Sequence, residues 1–219
     1  MMQRLLKTGL CLGAAVLFTG CATSSGHTDY SAYKASRPRS IVVLPPLNES
    51  PDVKATYGML AQVSYPLAES GYYVLPVALV DETFRQNGLT AAGDMHAVAP
   101  GKLREIFGAD AALYIKVTEY GAKYRLLSSD TVVAATGKLV DLRTGTTLWQ
   151  GAASSANSSS GNAGGGIVGA LIGAAIAQAV NSTVDTSYKV AGAASNKLLS
   201  AGQPNGLLYG PRSPRYESD

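Results

Sequence analysis

Hydrophobic and polar positions change their period several times along the chain. Ile41-Val42-Val43-Leu44 is an unbroken apolar run stopped by Pro45-Pro46, the pattern of a strand buried on both faces. Ser50 with Pro51 has the form of an N-cap and first helical residue. Val53, Tyr57, Leu60 and Ser64 follow at helical spacing, Pro66 is placed to kink or end that helix, and Gly71 to stop it. Tyr72 to Leu75, closed by Pro76, predicts a second strand. Val77 to Gln86 predicts a helix leaving at Asn87-Gly88, and Ala99 to Phe107 a short helix ended by Gly108. Between these two, Ala91 to Pro100 reads as a loop. From Ala111 to Tyr120 the period becomes two, with Leu113, Ile115 and Val117 on one face, and Lys123–Leu127 and Thr131–Val140 continue as strands. Asp141-Leu142-Arg143-Thr144-Gly145 reads as a turn in which the Asp141 carboxylate takes backbone N–H groups and Gly145 adopts a positive φ. Thr146 to Ala153 is the return strand. Strand–helix–strand–helix followed by an antiparallel meander predicts an α/β fold, a mixed sheet flanked by helices.

The pattern then loses its charges: Thr144 to Val184 contains none. Ser154 to Gly166 is Ser, Gly, Asn and Ala, a loop composition. Ile167 to Val180 is a Gly/Ala-rich helix candidate, too short in its apolar core for a membrane span. Gly165, Gly169, Gly173 and Ala177 recur every four residues, a small-residue face suited to helix packing or self-association. Thr183 to Leu199 continues as a more polar helix. Pro204, Gly206, Gly210, Pro211 and Pro214 mark residues 203–219 as a loose tail.

The amino terminus belongs to another class. Arg4 and Lys7 form a basic head, Gly9 to Phe18 an apolar run, and Leu17-Phe18-Thr19-Gly20-Cys21 a small-residue stretch ending in cysteine. These are the parts of a secretory signal. The final cysteine resembles the lipobox of bacterial lipoproteins, which implies cleavage after residue 20 and a diacylglyceryl group with further acylation, palmitate included, at Cys21. Ala22 at the next position implies sorting to the outer membrane. Ala22 to Pro38 lacks apolar periodicity and reads as a flexible tether, its 17 residues reaching roughly 55 Å when extended. The expected organisation is therefore 1–20 signal, 21–38 lipidated tether, 39–202 one periplasmic domain and 203–219 tail.

Composition narrows the chemistry. Without Arg4 and Lys7 the mature chain carries 16 basic and 15 acidic residues, a balance that gives no reason to expect nucleic acid or an acidic membrane surface as partner. Cys11 leaves with the signal and Cys21 is consumed by lipid, so no thiol remains for a disulfide, metal or nucleophile. His27 and His96 are the only histidines, and a triad or metal site would rest on His96 alone. Gly164-Gly165-Gly166 with Gly169 lacks the Gly-Lys-Ser/Thr ending of a phosphate loop. Asp81, Glu82 and Asp94 read as surface charges. Tyr72, Tyr73, Tyr114, Tyr120 and Tyr124 fall on strands, where tyrosines pack more often than they grip glycan or peptide. No catalytic residue, metal or cofactor is expected.

Ile41 to Asn48, Leu103 to Val117 and Val140 to Trp149, and above all Phe107-Gly108-Ala109-Asp110, resemble a family of bacterial outer-membrane lipoproteins of unknown function, of which a meningococcal surface-antigen candidate is a member. More distantly they are similar to the curli-export lipoprotein CsgG, the peptidoglycan-synthase activator LpoB and the amino-terminal domain of TolB. The resemblance implies an α/β domain facing the periplasm of a Gram-negative bacterium, and no catalysis. The long amphipathic hairpins of the curli-export pore are not evident. The expected function is non-enzymatic: an accessory or assembly component of a secretion or envelope complex, working as a homo-oligomer and with other envelope lipoproteins. The alternative is a regulatory module reaching through its tether to a peptidoglycan synthase; an envelope hydrolase ranks last.

Overall fold

The computed structural model describes residues 28–125, 128–158, 186–202 and 204–218. The expected signal, Cys21 and the helix-packing positions Gly165, Gly169, Gly173 and Ala177 lie outside them. The described elements are α1 (Ser31–Ser36), β1 (Ser40–Val43), β2 (Leu47–Asn48), α2 (Ala55–Glu69), β3 (Tyr73–Val74), α3 (Val77–Gln86), α4 (Ala92–His96), α5 (Pro100–Phe107), β4 (Ala111–Arg125), β5 (Ser128–Asp141), β6 (Thr147–Ser158) and α6 (Thr186–Leu199). The strands form one mixed sheet in the order β3-β1-β4-β5-β6, with β2 also beside β4. Strands β3, β1, β2 and β4 run parallel, and β4-β5-β6 is an antiparallel meander. This is the expected fold class.

Both faces of β1 are covered, as its unbroken apolar run predicts. Ile41 and Val43 join Leu113, Ile115 and Val117 in a core under α2 and α6, which contribute Met59, Val63, Ala191 and Leu198. Val42 and Leu44 point into a second, smaller core with Val80, Phe84, Met95 and Leu103 from α3, α4 and α5. Alternation along one strand thus divides the interior in two.

Four local expectations are corrected. The α2 helix begins at Ala55 rather than at Ser50-Pro51, because side chains hold the intervening residues in turns. Asn48 Oδ1 accepts from the Ser50 N–H at 2.8 Å, and Asp52 Oδ1 from the Lys54 N–H at 2.9 Å. The helix continues past Pro66 to Glu69, the proline lying in its last turn. The 91–100 stretch contains α4, which places Met95 in the second core. Strands β4 and β5 run continuously to 125 and from 128, with one irregularity between Val117 and Glu119.

Two larger corrections concern the ends. The expected tether extends to Pro38, yet its described part is built into the domain: Tyr33 on α1 is 2% exposed and Pro38 is buried. The tail is likewise packed. Leu207 is 1% exposed, Ala201 and Leu207 form a parallel bridge, and the Gly210 N–H donates to the Ser70 carbonyl at 2.8 Å. Glycine is needed at this crossing. A Cβ on Gly71, whose φ is +96°, would lie 2.4 Å from the Ser213 nitrogen, and one on Gly210 would lie 2.6 Å from the Gly71 oxygen.

Candidate functional site

The motifs on which the family resemblance rests are structural when traced into the fold. Gly108, at φ 66°, ends α5 in the left-handed conformation, and Phe107 packs on Phe84 with ring centroids 5.3 Å apart. Asp110 then ties β4 to the start of β1. Its Oδ2 accepts from the Arg39 N–H at 2.9 Å, the Ser40 N–H at 3.2 Å and Ser40 Oγ at 3.1 Å. In the Asp141–Gly145 turn the Asp141 carboxylate, 2% exposed, accepts from the Arg143 N–H at 2.7 Å and the Thr144 N–H at 3.0 Å. The Arg143 guanidinium, at 3.2 Å, and Ser36 Oγ also donate to it, which joins α1 to the meander. Burial pushes this carboxyl up, but the bonds from Ser36, from the Thr144 and Arg143 N–H groups and from the Arg143 side chain outweigh it and bring the pKa down to about 2. Gly145 has φ 73°, as the turn requires.

Three helices roof the β1 side of the second sheet face and leave the meander side open. There a groove of about 810 Å³ runs between α4 and the strands, lined among others by His96, Tyr114, Lys116, Thr136, Lys138 and Gln150. Tyr114 pairs with Lys138, and Lys138 with Gln150, in register across β4, β5 and β6. Lys138 Nζ sits 5.3 Å from the Tyr114 ring centre, and His96 meets the same ring edge-on at 5.3 Å. The histidine is no exposed loop residue: Nε2 donates to the Pro45 carbonyl at 2.9 Å. Burial lowers its pKa, the bond to Pro45 acts in the opposite direction, and Lys138 adds to the lowering. A neutral imidazole already committed to a backbone carbonyl is a wall of the groove rather than a free base. Lys116 is paired with Glu49 at 3.1 Å.

The other sequence candidates remain apart. Asp81 pairs with Arg85 at 3.0 Å, and Glu82 accepts from Gln86 at 2.9 Å, both along the exposed surface of α3. Tyr72 is buried and donates to the Leu208 carbonyl at 2.6 Å, and Tyr120 lies over Gly58, so these two pack. Among the described residues no group of three or more His, Cys, Asp or Glu side chains is placed to hold a metal, and no helix is long and apolar enough to cross a membrane. The described surface offers a groove and an edge for binding. The edge is β6. Thr147 to Ser158 holds neither charge nor proline, and no described strand pairs with its outer side. Neither feature is visible in the sequence, because each arises from register between strands far apart in the chain.

A family model described as "Putative lipoprotein GNA1162-like" matches residues 28–212. The "Putative lipoprotein NMB1124/NMB1162" of Neisseria meningitidis serogroup B (strain ATCC BAA-335 / MC58) is 50% identical over 204 residues, covering 93% of this chain and 94% of the relative. The crystal structure of lipoprotein GNA1162 from Neisseria meningitidis is 56% identical with a TM-score of 0.54, over 66% of this chain and 99% of that one. The LpoB C-terminal domain from Salmonella enterica is 19% identical with a TM-score of 0.39, over 53% of this chain and 81% of that one.

Proposed function

The chain belongs to the GNA1162-like lipoprotein family, and from that membership we propose that it is a non-enzymatic outer-membrane lipoprotein, anchored through Cys21, that serves as an assembly component of a secretion or envelope complex. The observation that carries this reading is the β6 edge, beside which no described strand lies and which, past the bulge at Leu148, carries no shielding charge or proline. Folded proteins shield edge strands with lysines, prolines or bulges because unpaired N–H and C=O groups recruit further strands. Over Gly151 to Ser158 the side chains are only Gly, Ala, Ser and Asn. Lys197 of α6 reaches the Ser154 carbonyl at 3.2 Å, and α1 lies against β6 nearer its start. A strand so long and so free of charge suits pairing with a second copy or with a neighbouring envelope protein.

The test places charge on that edge. Ala152 and Ala156 are exposed, and Ala152→Lys with Ala156→Lys leaves both cores untouched. Cross-linking and sedimentation of detergent-extracted protein are expected to show a large assembly for the parent chain and a monomer for the double variant, with melting temperatures within a few degrees of each other. A parent chain that sediments as a monomer would reject the assembly role.

The groove supports a second reading, a regulatory module holding a partner segment between α4 and the meander. The long reach expected of such a module is shortened, because Thr28 is already bonded to Asn205 and only six residues separate it from Cys21. A monomeric parent chain that still co-purifies with one envelope partner, losing it on Lys138→Glu, would favour this second reading.

A further inference from the structure

The position of Thr28 limits which face of the domain can lie near an anchor at Cys21. Thr28 bonds Asn205 Oδ1 through its N–H at 3.2 Å and its hydroxyl at 3.0 Å, and Tyr30 Oη donates to the Gly206 carbonyl at 2.6 Å. Thr28 is the seventh residue after Cys21, so the two are at most about 25 Å apart along a fully extended chain. On the reading that Cys21 carries the lipid, on which this inference rests, α1 and the carboxyl-terminal segment are held close to the headgroups.

That face is basic and aromatic. A cup of about 270 Å³ opens between α1 and the carboxyl-terminal segment, with Tyr33, Tyr72, Tyr209 and Tyr216 in its walls and Lys34 and Arg37 beside them. Arg212 lies 5.2 Å from the Tyr73 ring centre, and Arg215 lies 5.6 Å from that of Tyr209 while donating to the Tyr209 hydroxyl at 2.9 Å. Lys34, Arg37, Arg212 and Arg215 are all exposed. Glu217 faces Arg37 at 3.4 Å, with both side chains more than half exposed. Asp29 and Asp219 are the other acids of these two end segments, and Asp29 accepts from the Ser31 N–H at 2.8 Å. A guanidinium held beside a ring is pre-oriented, and its planar donors match a phosphate. Tyr33 and Tyr72 are buried, but the exposed Tyr73 and Tyr216 suit the headgroup depth, where one end of the side chain is apolar and the other wet.

We propose that the face formed by α1 and residues 204–218 docks on the phosphate headgroups of the leaflet that holds the Cys21 lipid, fixing the orientation of the domain on the membrane. The acyl chains supply the anchor. The arginine–tyrosine face supplies a second contact and turns the opposite end of the molecule outward.

The test uses the mature chain with Cys21→Ser, so that lipid does not dominate, and vesicles of phosphatidylethanolamine with or without about one quarter phosphatidylglycerol. Binding by co-sedimentation is expected only with the anionic lipid, and is expected to fall with added salt. Arg37→Glu with Arg212→Glu is expected to weaken it about tenfold or more, while Lys102→Glu with Lys123→Glu, an equal charge change elsewhere, changes it less than about twofold. Equal losses from both pairs, or binding indifferent to phosphatidylglycerol, would overturn the proposal. If the first pair lowers the melting temperature, Arg37→Gln with Arg212→Gln carries the same comparison. The mass of Cys21 in protein extracted from cells reads the lipid separately: an unmodified cysteine defeats the anchor, whereas the vesicle assay alone decides the face.

Discussion

Asp141 shows how one side chain organises a region. Its pKa of about 2 in the fold stands against an ordinary 3.8, a difference worth about 2 kcal/mol. Because the folded value is the lower one, this stability is fully present above the ordinary pKa and is lost as pH falls through about 2. Asp141→Asn is expected to lower the unfolding free energy at neutral pH by about 2 kcal/mol and to flatten the acid side of the stability profile. Urea titrations across that range measure both. Gly145, four residues on, tests the same turn by another route. A Cβ there meets nothing within 4 Å, so Gly145→Val imposes the left-handed backbone cost alone, about 1–2 kcal/mol, read as a lower melting temperature.

Among the elements, β6 carries the chain's only tryptophan, and its fit depends on glycines. The Trp149 ring lies over the paired Gly137 and Gly151, and a Cβ at Gly151 would sit 2.3 Å from the indole. The indole N–H donates to the Asn205 carbonyl at 2.8 Å. Gly151→Ala is expected to displace the ring, weaken that bond and cost about 1–3 kcal/mol, seen as a lower melting temperature and an altered tryptophan emission. Strands and helices with a long enough apolar period are legible in the amino-acid pattern: β1, α3, α5 and the start of β4 lie within a residue or two of their expected places. The short α1 and α4 are not, since six and five residues hold too few repeats of a helical period to register. Asn205 and Leu207 give no signal either. The value of Asn205 comes from Trp149 and Thr28, far away in sequence, and that of Leu207 from the larger core, while glycine and proline around them have the composition of a free end.

For the whole molecule, the site is less legible than the fold. The scarcity of Cys and His can be counted in the sequence, but a groove or an edge exists only after strands find their register. The Tyr114–Lys138–Gln150 row draws one residue from each of three strands. The largest departure from the sequence pattern is at the carboxyl end. A chain stopped after Gly202 loses Leu207, the cover of Trp149 and the bonds to Ser70 and Gly71. It is expected to lose at least about 3 kcal/mol in a thermal or urea melt, where removal of a free tail would leave the curve unchanged.

The pairing of Thr28 with Asn205, 177 residues apart, also sets a timetable. A chain delivered amino end first presents Thr28 and Tyr30 long before Asn205 and Gly206 arrive to receive them, and contacts of such separation close late. The segment that begins at Thr28 therefore stays undocked through most of delivery and packs only when the last residues arrive. On the reading that Cys21 receives lipid, that interval leaves it within reach of the modifying enzymes before the fold draws the neighbouring chain in.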